Sequence, residues 1–170
     1  MIETLYTIGG YGYDEEGFFS ALLENRVDCL CDIRQRRGMR GSKYSFLNSI
    51  QLQRRLLFFN IAYVHIKELA PTSAVRSLQR HEDSAQRTSK QQRTELAPSF
   101  IDAFIHEVLA VQTPKSLLER IPASAMRPSF FCVERTPSAC HRSLVATWMH
   151  KSLGLPVVHI GEVCEHSHRG

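Results

Sequence analysis

The sequence predicts an α/β fold, a three-layer sandwich around a mostly parallel sheet of about five strands with helices on both faces. Short β-prone apolar runs alternate with amphipathic segments from residue 5 to residue 160, and we find no internal repeat or low-complexity tract. The 170 residues, 43% of them hydrophobic and 22% charged, suit a single domain over residues 1–170.

The first half of the chain contains three predicted strands and two predicted helices. The first strand stops at a glycine-rich stretch that frees the backbone for a tight turn. Asp14 is a predicted N-cap, because the apolar residues after it recur at helical spacing. The predicted order is strand 5–8, helix 15–25, strand 27–33, helix 47–59 and strand 61–66.

The second half begins with a polar segment, residues 71–98, which we predict to be an exposed or mobile connector because it has few apolar anchors after Leu78. Ser99 is a predicted N-cap for the helix with the clearest apolar face, and Gly154 is expected near the end of the last helix. The remaining predicted elements are helix 100–109, helix 113–119, strand 129–133, helix 142–151, strand 156–160 and a flexible tail over 162–170.

The sequence predicts a cytoplasmic protein that does not enter a membrane. The N-terminus lacks the pattern of a signal peptide, and no apolar stretch approaches the roughly 20 residues that span a bilayer. Five cysteines cannot all pair, and several lie in apolar runs, which is typical of reduced thiols. They are Cys29, Cys31, Cys132, Cys140 and Cys164.

The loop between the fourth strand and the last helix is the main candidate site. Cys140 precedes the helix, where the helix dipole and free N–H groups favour a thiolate, so it is a candidate catalytic residue. The alternative is a buried thiol that caps the helix. The next three residues, His141, Arg142 and Ser143, are candidate anion-binding residues, since an Arg in the first helical turn needs an acidic group or a ligand.

Two acidic residues at strand ends are further catalytic candidates. Glu134 follows Cys132 by two residues, so both point to the same side of an extended chain, and Glu134 is a candidate general acid or base. Asp32 and Arg34 alternate with Ile33 at the end of the second strand. For each carboxylate the alternative is a structural ion pair with an arginine.

A basic loop after the second strand predicts a phosphate-rich partner, a nucleic acid or a nucleotide. The alternative is a charged loop that is simply solvated. Gly9, at the end of the first strand, and Arg34 and Arg37, in this loop, are candidate substrate-binding residues. Nearby aromatic residues either stack on a base or belong to the core. The basic residues are Arg34, Arg36, Arg37, Arg40 and Lys43, and the aromatic ones are Tyr11, Tyr13, Tyr44 and Phe46.

We expect no cofactor and no metal. Enough soft ligands for zinc are present, but their spacing matches no familiar zinc module. The chain also lacks a Walker loop, a dinucleotide-binding glycine motif and a Gly-x-Ser-x-Gly elbow, which argues against several common enzyme classes. The soft ligands are Cys132, Cys140, His141, Cys164, His166 and His168.

Taken together, these motifs resemble the prokaryotic family called domain of unknown function 488. The resemblance rests on Thr7-Ile8-Gly9, Asp28-Cys-Leu-Cys-Asp32-Ile33-Arg34, Tyr63-Val64-His65 with Glu68-Leu69, Cys132-Val-Glu134, Cys140-His141-Arg142-Ser143 and His159-Ile160. It implies an α/β fold and no particular chemistry. A second analogy is to rhodaneses and related phosphatases, in which an Asp-x-Arg strand end precedes a Cys loop that opens a helix with Arg-Ser.

Three functional hypotheses follow from the sequence. The first is an enzyme that acts on a nucleic acid, nucleotide or other phosphorylated substrate, with Arg34 and Arg142 binding the anion and Cys140 or Glu134 active. The second is a thiol-dependent sulfurtransferase or redox protein. The third is a non-catalytic nucleic-acid-binding or adaptor module, to which basic residues in 76–93 also contribute charge.

Overall fold

The computed structural model of the chain describes residues 1–161, so the predicted tail over 162–170 lies outside the described residues. It contains one five-stranded sheet, in which every strand pair is parallel. The strands are β1 Leu5–Gly9, β2 Cys29–Asp32, β3 Ala62–His65, β4 Pro128–Cys132 and β5 Val157–His159. The helices are α1 Glu15–Glu24, α2 Ser49–Phe58, α3 Ser73–Ala85, α4 Pro98–Phe104, α5 Pro114–Leu118 and α6 His141–Leu153.

The strand order is β3-β2-β4-β1-β5, so the fourth strand of the sequence lies in the middle of the sheet. On one side it pairs with β1, where Gly9 is opposite Cys132. On the other side it pairs with β2, where Asp32 is opposite Phe131. The predicted α/β architecture is confirmed, and the sheet is wholly parallel.

Two apolar cores cover the two faces of the sheet. Successive side chains of β4 point to opposite faces, and accordingly Phe130 packs in one core while Phe131 packs in the other. Helices α1 and α2 cover the face of Phe131, and the apolar residues of α3 to α6 cover the face of Phe130. The chain is therefore a three-layer sandwich.

This topology leaves a crevice at the carboxyl end of the sheet. The chain leaves β2 toward α2 on one face and leaves β4 toward α6 on the other, although β2 and β4 are neighbours. In open parallel sheets, ligands bind where the connections of adjacent strands separate in this way. Residues that follow β2 and β4 are thus in the position where this fold places its binding site.

Local signals explain most helix boundaries. Asp14 caps α1 as predicted, since its side chain accepts a hydrogen bond from the Gly17 amide, and Gly154 ends α6 at a positive φ of 70°. The predicted cap of α4 is wrong: this helix begins at Pro98 after Ala97, because proline suits a first helical position. It continues as a π-helical turn over Ile105–Leu109.

The segment predicted to be an exposed or mobile connector contains α3. It also buries Val75, Leu96 and Ala97 in the core, while most of its other residues are exposed. Its loop over residues 86–97 folds back toward the β4–α6 connection, where the Leu96 amide donates to the Ser138 carbonyl. The segment therefore forms a wall over the crevice.

Within residues 1–161, no helix has the length and hydropathy that crossing a bilayer requires.

Candidate functional site

The β4–α6 connection brings two thiols, a carboxylate and an imidazole together. Cys132 ends the central strand, and Cys140 and His141 begin the helix that follows. The Sγ atoms of Cys132 and Cys140 lie 3.1 and 3.0 Å from the same Glu134 oxygen, Oε2. Nδ1 of His141 lies 4.0 and 3.9 Å from these two sulfurs. We call these four residues the Cys–Glu–His cluster.

A main-chain contact on the side away from the two sulfurs fixes the orientation of the His141 ring. Its Nε2 lies 3.1 Å from the main-chain carbonyl oxygen of Ile33, just after β2. A carbonyl can only accept a hydrogen bond, so Nε2 carries the proton in this contact. In the neutral ring, Nδ1 then presents a lone pair toward the two sulfurs.

Glu134 is buried, with 5% of its surface exposed, and it is held by two cations. Its Oε1 lies 3.1 Å from Arg93 and 3.2 Å from Lys90. Burial raises the pKa of Glu134, but the positive charges of Lys90 and His141 and hydrogen bonds from the two thiols outweigh this effect. Its pKa therefore lies well below the usual range, and the carboxylate is ionised.

Arg93 connects this carboxylate to the crevice wall. One guanidinium nitrogen donates to Asp83 of α3 at 2.8 Å, a second to Glu134, and Nε donates to the Ala139 carbonyl. These contacts join the wall to the β4–α6 connection. Arg93 is itself mostly buried, with 9% of its side chain exposed.

The two thiols differ in acidity. Burial raises the pKa of Cys140, but hydrogen bonding by the Cys132 thiol and the positive charges of Arg142 and His141 outweigh it, so the pKa is lowered to about 5. The pKa of Cys132 is raised, because its proton is shared with Cys140 and because it is buried. Burial lowers the pKa of His141, but the interactions with Cys140, the negative charge of Glu134 and the hydrogen bond to the Ile33 carbonyl together outweigh it, and the pKa is raised.

Arg142, a predicted anion-binding residue, holds the loop from inside. Its side chain is completely buried, and its guanidinium donates to the carbonyl oxygens of Glu134 at 2.6 Å and Arg135 at 2.9 Å. Gly9 lies against the same turn, and a Cβ on it would be 2.0 Å from the Glu134 carbonyl oxygen. The Ser143 hydroxyl donates to the Cys140 carbonyl at the helix start. All three residues thus shape the turn, and an anion-binding role for them stays a prediction.

Asp32 and Arg34, predicted as a catalytic and an anion-binding residue, form a bidentate ion pair. The two nitrogens of Arg34 donate to the two oxygens of Asp32 at 2.9 and 2.7 Å, and both side chains are buried. The Tyr63 hydroxyl donates to Asp32 at 2.8 Å, and Arg37 donates to the Tyr63 oxygen at 3.4 Å. These contacts match the structural alternative for Asp32, whose catalytic role stays a prediction.

A pocket of about 1010 Å³ opens above the Cys–Glu–His cluster, and all four cluster residues line it. Among residues 1–161, eight basic side chains line the same pocket, together with two acidic ones, Asp83 and Glu134. Three come from the loop after β2, namely Arg34, Arg36 and Arg40, and five come from the crevice wall, namely Arg76, Arg80, Arg87, Lys90 and Arg93. This excess of positive charge attracts anions.

Two of the four aromatic candidates also line the pocket. Tyr11 and Tyr44 are in edge contact, with ring centroids 5.1 Å apart. The other two are not among the residues that line it: Tyr13 contacts the ring of Phe18 edge-on, and Phe46 is 5% exposed in the same core that contains Tyr44, which is 7% exposed. The stacking alternative therefore applies to Tyr11 and Tyr44.

A comparison with protein-family models matches residues 15–149 to "Domain of unknown function DUF488". The match covers well over half of the chain. This protein is a member of the DUF488 family. No curated protein and no solved structure is significantly similar to the chain, and the analogy to rhodaneses is not confirmed.

The segments that carry the DUF488 resemblance meet around the crevice. The Tyr63 hydroxyl donates to Asp32, and the ring of His65 contacts the Arg34 carbonyl at 2.9 Å. Through Ile33 this β2 end also holds His141. The resemblance therefore picks out one connected region, although the family name states no activity.

Sequence reasoning missed the part of the site that comes from the crevice wall. It assigned charge to residues 76–93 only as a nucleic-acid-binding surface, and it did not place Lys90 or Arg93 beside Glu134. One signal was present: Arg76 and Arg80 are four residues apart, so they share one face of α3. The contacts of Lys90 and Arg93 with Glu134 depend on how the loop over residues 86–97 folds back.

Proposed function

We propose that this DUF488 protein is a cytoplasmic enzyme that acts on a phosphorylated substrate, a nucleotide or a nucleic acid. One observation carries the proposal: eight basic side chains line the pocket whose floor is the Cys–Glu–His cluster. Phosphate groups are the anions that several arginines bind best, because the guanidinium donates two hydrogen bonds in a fixed geometry. The free thiols of Cys29, Cys31, Cys132 and Cys140 suit a reducing compartment.

Four of the basic residues differ in their contacts and so in the role that we assign to them. Arg34 and Arg93 are held in buried ion pairs, so they set the shape and the potential of the pocket. Arg36 and Arg40 are exposed in the loop after β2, and we assign to them the direct phosphate contacts. Tyr11 and Tyr44 offer an aromatic wall for a base. The volume of about 1010 Å³ is enough for a mononucleotide.

The chemistry belongs at the floor of the pocket, where Glu134 and Cys140 are the reacting candidates. The alternative of sulfur transfer or redox chemistry uses Cys132 or Cys140 as an attacking thiol. This alternative gives no role to the basic side chains that line the pocket, and we therefore rank it second.

Calorimetric titration with adenosine, AMP and ATP tests substrate binding. We expect affinity to rise with the number of phosphates and to fall with added salt, and the double variant Arg36→Gln/Arg40→Gln to bind ATP at least about tenfold more weakly. Arg54→Gln/Lys151→Gln removes the same charge outside the pocket and should bind like the wild type. Equal affinity for adenosine and ATP would contradict the proposal.

A second measurement tests catalysis. Wild-type protein and Cys140→Ser are each incubated with a mixture of nucleotides and short oligonucleotides, and the products are identified by mass spectrometry. The proposal expects a compound that the wild type consumes and the variant does not. Binding without any consumption would support the non-catalytic nucleic-acid-binding module instead.

A further inference from the structure

Three potential metal ligands converge at the floor of the pocket. The Sγ atoms of Cys132 and Cys140 and one ring nitrogen of His141 all lie within 4.8 Å of one another, and the three residues are buried. Two thiolates and an imidazole are a ligand set that selects zinc among the common divalent ions. We propose that Cys132, Cys140 and His141 bind one zinc ion, with a fourth coordination position open to the pocket.

The spacing of the ligand atoms fits this ion. In a tetrahedral site with Zn–S of about 2.3 Å and Zn–N of about 2.0 Å, sulfur and nitrogen are roughly 3.6 Å apart. The observed separations from Nδ1 of His141 are 4.0 Å to Cys132 and 3.9 Å to Cys140. These two separations exceed the tetrahedral value by a few tenths of an ångström, and all three ligand atoms lie within 4.8 Å of one another.

The hydrogen bond from the other ring nitrogen of His141 is independent support for a zinc site. Zinc-binding histidines usually donate the N–H of the other ring nitrogen to a carboxylate or a main-chain carbonyl, which fixes the ring and leaves the ligating nitrogen unprotonated. Here Nε2 lies 3.1 Å from the Ile33 carbonyl oxygen, and Nδ1 faces the two sulfurs. The hydrogen bond that holds the ligating ring from its other nitrogen is therefore already in place.

The ligands sit on rigid parts of the fold. Cys132 ends the central strand and is paired in register with Gly9, while Cys140 and His141 begin a 13-residue helix. Arg142 holds the intervening turn by its two carbonyl contacts. Ligands on a strand end and a helix start keep their positions better than ligands on a free loop.

Charge balance determines the role of Glu134. Two thiolates and one neutral imidazole cancel the two positive charges of the ion. Oε1 of Glu134 is already paired with Lys90 and Arg93, while Oε2 faces both sulfurs. Glu134 thus stands beside the open position, where it can accept a hydrogen bond from a water molecule or a substrate atom bound there. Catalytic zinc sites combine three protein ligands with an open position in this way.

Binding forms two S–Zn bonds and one N–Zn bond with no change of oxidation state, and each of the three ligand atoms that carries a proton before binding loses it. The protons go to the solvent, so metal binding and proton release accompany each other. In this reading the thiols of Cys132 and Cys140 are ligands, which agrees with their burial. The inference goes beyond the proposed function, because zinc binding is measured without any phosphorylated compound.

Titration of the full chain with zinc and with cobalt tests the site. After treatment with a chelator, we expect one equivalent of zinc to bind, and one equivalent of cobalt to give a thiolate charge-transfer band and the visible bands of a tetrahedral ion. Cys132→Ser and Cys140→Ser should each lower zinc affinity by at least about a hundredfold. Mutating only the hydrogen-bond partners of metal ligands already lowers affinity by about tenfold to a hundredfold. Circular dichroism checks that each variant is folded.

Two control variants separate this site from other thiols. Cys29→Ala/Cys31→Ala removes a second pair of buried sulfurs, 3.9 Å apart, and should still bind one equivalent. A variant with Cys164→Ser, His166→Ala and His168→Ala changes soft ligands outside the described residues, and it should also bind one equivalent. Loss of binding in either control, with binding intact in Cys140→Ser, would overturn the proposal.

A measurement on the wild type covers the case in which the serine variants do not fold. We expect one equivalent of zinc to protect Cys132 and Cys140 from alkylation, with the modified positions mapped by mass spectrometry. Absence of zinc binding together with rapid alkylation of Cys140 would refute the metal site and favour the thiol alternative.

Discussion

Arg142 shows how far the sequence position of one residue predicts its contacts. A positive charge in the first turn of a helix needs a compensating partner. The structure supplies that partner in the carbonyl oxygens of Glu134 and Arg135. The sequence indicated that a partner exists, but it could not distinguish a bound anion from a main-chain turn, because carbonyl positions depend on how the loop folds.

Gly9 leads to a prediction at the same scale. Its missing side chain leaves room for the turn that carries Glu134, since a Cβ would lie 2.0 Å from the Glu134 carbonyl oxygen. We expect Gly9→Ala to lower the free energy of unfolding by about 1–3 kcal/mol, measured by urea denaturation. Gly38→Ala is the matched control, because the atom nearest to its added Cβ is 4.0 Å away. Equal unfolding midpoints for the two variants would contradict this account.

At the scale of elements, the contact between the crevice wall and the β4–α6 connection was the least predictable feature. Arg93 and Glu134 are 41 residues apart, and nothing in the local pattern of residues 86–97 pairs one with the other. Helices and strands follow from periodicity and capping, which are local. Ion pairs between distant segments follow only from tertiary structure. The sequence of residues 71–98 shows only that the segment is polar, and this composition alone predicts a connector.

Arg93→Ala tests whether this residue holds the wall in place. It removes the contacts to Asp83, Glu134 and the Ala139 carbonyl together, so we expect faster amide exchange in residues 86–96. Breaking a buried ion pair also costs about 3 kcal/mol of stability. Arg87→Ala, an exposed arginine of the same segment, is the control. Unchanged exchange in Arg93→Ala would show that other contacts hold the wall.

For the whole molecule, the sequence predicted the five strands and the helices other than α3, but not the order of the strands. Each of the five predicted strands is present, because a buried parallel strand is a short apolar run wherever it lies in the sheet. None of these apolar runs indicates that β4 lies between β1 and β2. It depends on which helices cover which face, and the resemblance to DUF488 implied a fold class only.

The two-core architecture predicts that position, more than residue type, decides the effect of a substitution. Phe131 is fully buried in the center of the sheet, whereas Phe58 at the end of α2 is 73% exposed. We expect Phe131→Ala to lower the free energy of unfolding by about 3–5 kcal/mol and Phe58→Ala to change it by less than about 0.5 kcal/mol. Urea midpoints measure both, and similar losses in the two variants would refute the assignment of the core.

The central place of β4 also has a consequence for the nascent chain. During synthesis β2 and β3 emerge early and can pair with each other, but the native partners of β1 are β4 and β5, which come last. Both edges of β1 therefore lack their native partners while most of the protein is translated. Unpaired strand edges promote association with other chains. The first of these partners to emerge is β4, which ends in Cys132. The sheet is therefore completed, and the pocket floor forms, in the same late step.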